Sequence, residues 1–75
     1  MTLNPEIRNL VRQHRLLADI TQQQLADRTG VTRQTILSIE KGNYTPSVAL
    51  ALTLAKTFAV PVETLFQLHN GESNG

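Results

Sequence analysis

The chain has 75 residues, of which 40% are hydrophobic and 17% charged, a composition that fits one small globular domain rather than a disordered segment. It contains no cysteine, which excludes disulfides, thiolate metal sites and a cysteine nucleophile. The formal net charge is only +1, but residues 1–45 hold six Lys and Arg against four Asp and Glu, so this part is weakly basic. Such a distribution is compatible with a surface that faces phosphate groups and equally with an ordinary solvated surface.

The sequence argues against membrane insertion and secretion. The most apolar stretch, residues 48–62, is interrupted by Lys56 and Pro61 and is too short to cross a bilayer. The N-terminus holds Pro5 and Glu6 without an apolar run, unlike a secretory signal. We therefore expect a soluble, cytoplasmic protein.

The first predicted helix begins near the N-terminus, where Asn4 can cap a helix and Pro5 favours its first position. Along one face of this helix, four apolar residues and one histidine recur at helical spacing, namely Ile7, Leu10, Val11, His14 and Leu17. A lone histidine builds no metal site, so we expect His14 at the edge of the core rather than as a ligand or a pH switch.

Two short helices joined by a tight turn are predicted for residues 21–40. Thr21 can cap the first of them, and Gln24 completes a capping box with it. Gly30 suits the left-handed residue that ends this helix, and Thr32 can cap the next one. The outward-facing side chains are polar or charged: Gln22, Gln23, Asp27, Arg28, Arg33, Gln34 and Ser38. This pattern is typical of a helix-turn-helix, which presents its second helix to the major groove of DNA.

The rest of the chain predicts two more helices after a loop at residues 41–46. The fourth helix starts at about Ser47, and its predicted core face consists of Val48, Ala51, Leu54, Ala55 and Phe58. Because Leu50 and Leu52 lie off that face, this helix is either deeply buried or in contact with a partner. A short fifth helix is expected over residues 61–66, before a polar tail at residues 70–75.

The chain resembles one known family in several stretches, which read I-T-Q-Q-Q-L-A, G-V-T-R-Q-T-I, I-E-K-G-N-Y-T-P-S and L-A-L-T-L-A-K-T-F-A-V-P-V-E-T-L-F. Together they make nearly the whole chain similar to the XRE helix-turn-helix family of phage repressors and Cro-type proteins, and most similar to its small stand-alone regulators. The resemblance implies an all-α fold, a five-helix phage-repressor-like DNA-binding domain over residues 1–75. It also implies a sequence-specific transcriptional regulator, expected to be a repressor, that binds a palindromic operator as a homodimer through the helix 32–41.

The same resemblance implies roles for individual side chains. Base readout is implied for Arg33, Gln34, Leu37 and Ser38, since arginine can pair with guanine and glutamine with adenine. Leu37 can meet a thymine methyl, and it can equally be an isolated apolar residue of the surface. Positioning contacts near phosphates are implied for Gln22, Thr32, Thr35, Lys41, Asn43 and Tyr44. Arg15 and Glu40 match a partly buried ion pair between the first and third helices. The chain departs from the family pattern at His14, where an aliphatic residue is usual, and at Asp19, where glycine is common.

A homodimer is expected because one recognition helix reads too few base pairs to select a genomic site. The candidate interface residues are Leu65, Phe66 and Leu68, with Leu50 and Leu52 as further apolar side chains. The alternative is that Leu65 and Phe66 close the core of the monomer. Residues 64–69 can also run extended and pair with Met1–Leu3 as a short terminal β ribbon.

Two other functional classes remain to be considered. The chain can be an antitoxin-type module that binds a partner toxin and autoregulates its own operon, in which case the leucines outside the core face would contact a protein. An enzyme is not expected, because the carboxylates are scattered, no nucleophile stands beside a base, and no glycine loop cradles phosphate. No cofactor or metal is expected.

Overall fold

A computed structural model describes residues 6–69 of the chain. Within that range five helices and two short strands follow in the order β1 (Glu6–Asn9), α1 (Val11–Leu17), α2 (Gln22–Thr29), α3 (Arg33–Glu40), α4 (Val48–Thr57), α5 (Val62–Leu65) and β2 (Phe66–His69). The predicted five-helix fold with a short β ribbon is confirmed. The polar tail at residues 70–75 lies outside the described residues.

The start of the first helix was predicted too early. Helix α1 begins at Val11, and the segment before it forms β1, while Asn4 and Pro5 lie outside the described residues. The spacing of Ile7 and Leu10 fits a helix, but pairing with a distant strand prevails over this local preference. Short α1 therefore carries less of the core than the sequence predicts.

The β ribbon joins the two ends of the described chain. β1 and β2 run antiparallel, with Ile7 opposite Leu68 and Asn9 opposite Phe66. The predicted partner of residues 64–69 was Met1–Leu3, which lies outside the described residues, and the observed partner is β1. The Leu10 N–H donates to the carbonyl oxygen of Leu65 at 2.8 Å, which continues the same register one residue beyond the paired strands.

One apolar core is shared by all five helices. Its fully or almost fully buried side chains are Val11, Leu25, Ala26, Ile36, Ile39, Leu54, Ala55 and Leu65. Three residues predicted for the core are exposed instead, namely Leu17 at 83%, Val48 at 77% and Ile7 at 37%. Leu17 lies two residues beyond buried Arg15, roughly 200° around the helix, and so faces away from the core. Val48 is the first residue of α4, where it lines a shallow surface groove with Ile7 and Phe66.

His14 occupies the core edge, as its position in an apolar face predicts. Its side chain is half-buried, with the ring centroid 6.0 Å from that of Phe58. The ring nitrogen Nδ1 lies 3.1 Å from the carbonyl oxygen of Leu10, one turn earlier. This hydrogen bond gives the ring a structural role.

Local capping fixes where α2 and α3 begin. The Thr21 hydroxyl accepts the Gln24 N–H at 3.0 Å, and the Thr21 N–H donates to the Gln24 side chain at 2.8 Å, completing the predicted capping box. Gly30 ends α2 in the left-handed region at φ 76°. The Thr32 hydroxyl then accepts the Thr35 N–H at 3.1 Å. These contacts hold the turn between the two helices of the motif.

Among residues 6–69, two residues other than glycine have positive φ, Asp19 at 59° and Ala59 at 58°. They follow α1 and α4, where the chain turns towards the next helix. A side chain in this left-handed region costs on the order of 1–2 kcal/mol. Across residues 6–69, no helix has the length and apolar character needed to cross a membrane.

Candidate nucleic-acid interface

Helix α3 lies between two open clefts. The first has a volume of about 540 Å³ and is bounded by the end of α1, the start of α2 and the start of α3. The second has a volume of about 330 Å³ and lies between α3 and the loop that follows it. We refer to them as the first cleft, which includes Arg12, Gln22 and Arg33, and the second cleft, which includes Gln34 and Tyr44.

The side chains predicted to read bases are divided between the two clefts. Arg33 is exposed and lines the first cleft, whereas exposed Gln34 and half-buried Ser38 line the second. Leu37 is half-buried, yet it is not among the apolar side chains that pack against the core in the described range. The four residues therefore form a ridge along α3 rather than the lining of one pocket.

The residues predicted to contact phosphates lie on both sides of that ridge. Gln22 lines the first cleft, and Thr35, Asn43 and Tyr44 line the second. Lys41 is exposed directly beyond the last residue of α3.

Thr32 has a local structural role at the start of α3. Its hydroxyl lies 3.0 Å from the Thr35 hydroxyl and also accepts the backbone N–H that caps α3. These hydroxyl groups therefore stabilise the first turn of α3.

Arg12 is absent from the predicted contact residues, although it lines the first cleft together with Arg33. It precedes Arg15 by three residues on α1, so the two side chains leave neighbouring positions of the helix surface. The three-residue spacing from Arg15 is therefore the feature of the sequence by which Arg12 could have been identified. The start of α2 also lies beside this cleft, and the positive end of a helix favours anions. The Asp19 carboxylate also lines this cleft, but Arg12 and Arg33 together leave its lining with a net positive charge, which suits it to a phosphate group.

A nearly buried polar network supports the start of α2. Arg15 donates from Nε to Glu40 Oε2 at 2.7 Å and from Nη2 to Glu40 Oε1 at 3.2 Å. The third donor of Arg15, Nη1, reaches the carbonyl oxygen of Ile20 at 3.0 Å. Gln22 Nε2 also donates to Glu40 Oε1 at 3.2 Å, a contact that the sequence does not predict. The network therefore joins α1, the turn after it, the start of α2 and the end of α3.

The three predicted interface residues differ in exposure. Leu65 is fully buried within one chain, so its side chain closes the core of the monomer and has no surface to offer a second copy. Phe66 is half-buried against the core, whereas Leu68 is 64% exposed. A shallow apolar groove of about 150 Å³ lies nearby, lined by Ile7, Thr45, Pro46, Val48, Ala51 and Phe66.

Among residues 6–69, no group of three or more His, Cys, Asp or Glu side chains is placed to hold a metal ion.

Comparison with known proteins identifies the family. The helix-turn-helix family profile matches residues 11–65. An uncharacterized HTH-type transcriptional regulator of Methanocaldococcus jannaschii is 44% identical over 66 residues, covering 88% of this chain and all of that protein. A second, from Bacillus subtilis, is 42% identical over 62 residues, covering 83% of this chain and 94% of that protein. A third, from Methanothermobacter thermautotrophicus, is 52% identical over 50 residues, covering 67% of this chain and 72% of that protein. The chain therefore belongs to the XRE-type helix-turn-helix family of transcriptional regulators, which is not an enzyme class.

Proposed function

We propose that this chain is a sequence-specific DNA-binding repressor that acts in the cytoplasm as a homodimer on a palindromic operator. The observation that carries the proposal is the position of α3, whose exposed Arg33 and Gln34 lie between two clefts on a helix with a capped start and a buried support. Residues 1–75 would act as a single DNA-binding domain without a cofactor or a catalytic role.

In this proposal α3 enters the major groove and its first turn reads the bases. Arg33 would donate two hydrogen bonds to guanine O6 and N7, and Gln34 would pair with adenine N6 and N7. Both side chains are exposed on the first turn of α3, the end of the recognition helix that reaches base edges in this motif. Leu37 and Ser38 would follow one turn later, with Leu37 placed to meet a thymine methyl.

The clefts would hold the two DNA strands on either side of the groove. Arg12, Gln22 and the start of α2 supply positive charge and hydrogen-bond donors in the first cleft. Asn43 and Tyr44 supply polar groups in the second cleft, beside exposed Lys41. Contacts of this kind fix the register of the protein on DNA but carry no sequence information.

The second copy would dock on the apolar groove beside the ribbon. This groove includes Pro46 and Val48, which follow α3 along the chain. A twofold axis there would have to present both recognition helices on one face of the dimer. Exposed Leu68, opposite Ile7 in the ribbon, extends the apolar surface. Half-sites would then lie about 34 Å apart, one turn of DNA. A dimer that occupies such an operator excludes other proteins from it, which is repression in its simplest form.

The second candidate function is that of an antitoxin-type module that binds a toxin and autoregulates its own operon. It is favoured by exposed leucines distant from the recognition helix in sequence, among them Leu17 at 83% and Leu52 at 53% exposure. Co-purification of a second chain, or a toxin-like reading frame beside this one, would favour it over the stand-alone repressor.

Selection of bound duplexes from a random DNA pool, at one stated salt concentration, tests the proposed function. We expect enrichment of a palindrome whose half-sites are separated by about one helical turn. Enrichment of no sequence would contradict specific recognition, and enrichment of a single unrepeated half-site would contradict the dimer. The salt concentration must be fixed because phosphate contacts make affinity depend steeply on it.

A further inference from the structure

We propose that Glu40 is a positioning residue for DNA binding, because it orients the Gln22 amide so that an N–H group, and not the amide oxygen, faces the phosphate backbone. This role rests on the proposed function, and it goes beyond the ion pair by which Glu40 stabilises the fold.

The geometry of the Glu40 carboxylate leaves it little freedom. Its side chain is 3% exposed, and both of its oxygens accept hydrogen bonds from Arg15. Gln22 Nε2 is 3.2 Å from Glu40 Oε1, so the amide nitrogen is held on the side of the carboxylate. Arg15 also donates to the carbonyl oxygen of Ile20, two residues before Gln22, which holds the backbone at the start of α2.

The chemistry of the amide makes this contact selective. A glutamine amide has two N–H donors and one acceptor oxygen, whereas an ionised carboxylate only accepts. A flipped Gln22 amide would place its oxygen against the Glu40 carboxylate, which is repulsive. One N–H of the Gln22 amide donates to Glu40, so the second N–H of the same nitrogen remains available to donate to a phosphate. A DNA phosphate also only accepts, so it needs this orientation of the amide.

The surroundings of Gln22 are suited to that phosphate. Gln22 lines the first cleft with Arg12 and Arg33, whose charges attract a phosphate group to this place. A matched control needs a carboxylate that lies away from both clefts, and exposed Glu63 on α5 meets that need.

A double-mutant cycle in DNA binding separates positioning from folding. Gln22→Ala, Glu40→Gln and the double variant are titrated with the selected operator and with an unrelated duplex at several salt concentrations. We expect Glu40→Gln to weaken binding to both duplexes by about three- to tenfold, the value of one hydrogen bond. In the Gln22→Ala background, Glu40→Gln should have no further effect, because the amide through which it acts is gone. Glu63→Gln, which removes the same charge away from both clefts, should not weaken binding.

The proposal would be overturned if Glu40→Gln weakened DNA binding by the same factor in the unmodified chain and in the Gln22→Ala variant. That result would mean that Glu40 acts only by stabilising the fold. If the unmodified chain binds DNA and the two losses simply add, the proposed function stands and only the role of Glu40 is overturned. If the unmodified chain binds no DNA, the proposed function and the role of Glu40 are both overturned.

Because Glu40→Gln can also impair folding, nuclear magnetic resonance of the unmodified chain provides a second test. On addition of operator DNA, one of the two Gln22 side-chain N–H signals should shift strongly while the other, held on Glu40, changes little. Loss of the Glu40-bonded signal on binding would show that phosphate displaces the carboxylate, and would overturn the proposal.

Discussion

The ion pair between Arg15 and Glu40 leads to a strong prediction on stability. The side chain of Glu40 is 3% exposed and that of Arg15 is 11% exposed, so truncation of either residue leaves the other charged and nearly without water. Removal of one partner of a buried pair costs roughly 3–5 kcal/mol, whereas a surface pair contributes about 0–1 kcal/mol. We expect Arg15→Ala to lower the free energy of unfolding by ~3 kcal/mol, the lower end of that range, because Gln22 still donates to the carboxylate.

Urea unfolding followed by circular dichroism measures this cost for Arg15→Ala, Glu40→Ala and the double variant. Protein concentration is kept constant, because dimer formation would make the apparent stability depend on it. The double variant should lose less stability than the sum of the two single variants, by at least about 1 kcal/mol, a coupling typical of residues in one network. Glu63→Ala removes an exposed carboxylate from α5 and should cost less than about 1 kcal/mol. Additive losses for Arg15 and Glu40 would refute the reasoning, because they would show two independently solvated charges.

Three further predictions concern other parts of the chain. Arg12→Ala should weaken binding to operator and unrelated DNA by similar factors, and it should reduce the slope of log affinity against log salt concentration by about one. A loss of affinity for the operator alone would argue against a phosphate contact. Leu68→Glu should give a folded protein that sediments as a monomer and binds the operator more weakly in titrations. The control Gln67→Glu, on the same strand, should remain dimeric, and an unmodified chain that sediments as a monomer would contradict the interface. Ala59→Gly should raise the free energy of unfolding by roughly 0.5–1 kcal/mol, since glycine relieves the positive φ of 58°, and a loss of stability would contradict strain at this residue.

The parts of the fold that depend on neighbouring residues were predictable from the sequence. The capping box of Thr21 and Gln24, the left-handed Gly30 and the cap at Thr32 each depend on residues within one turn. The extent of α1 was not predictable in this way. The segment Glu6–Asn9 pairs with Phe66–His69, far along the chain, and local spacing carries no information about such pairing.

The candidate site shows the same division between local and tertiary information. The exposure of Arg33 and Gln34 follows from their place at the start of a capped helix. The hydrogen bond from Gln22 to Glu40 joins residues 18 positions apart, and it exists only because Arg15 holds the carboxylate between two helices. Such a contact becomes visible only when the helices have been packed together.

The central claim, that α3 reads DNA, is tested most directly by the binding specificity of Arg33→Ala. The unmodified chain and the variant are titrated with the selected operator and an unrelated duplex of equal length, at one salt concentration, with Lys56→Ala on α4 as a control. We predict that Arg33→Ala weakens operator binding by roughly 1–3 kcal/mol and lowers the ratio of specific to non-specific affinity, while Lys56→Ala leaves that ratio unchanged. An unchanged ratio for Arg33→Ala would contradict the claim.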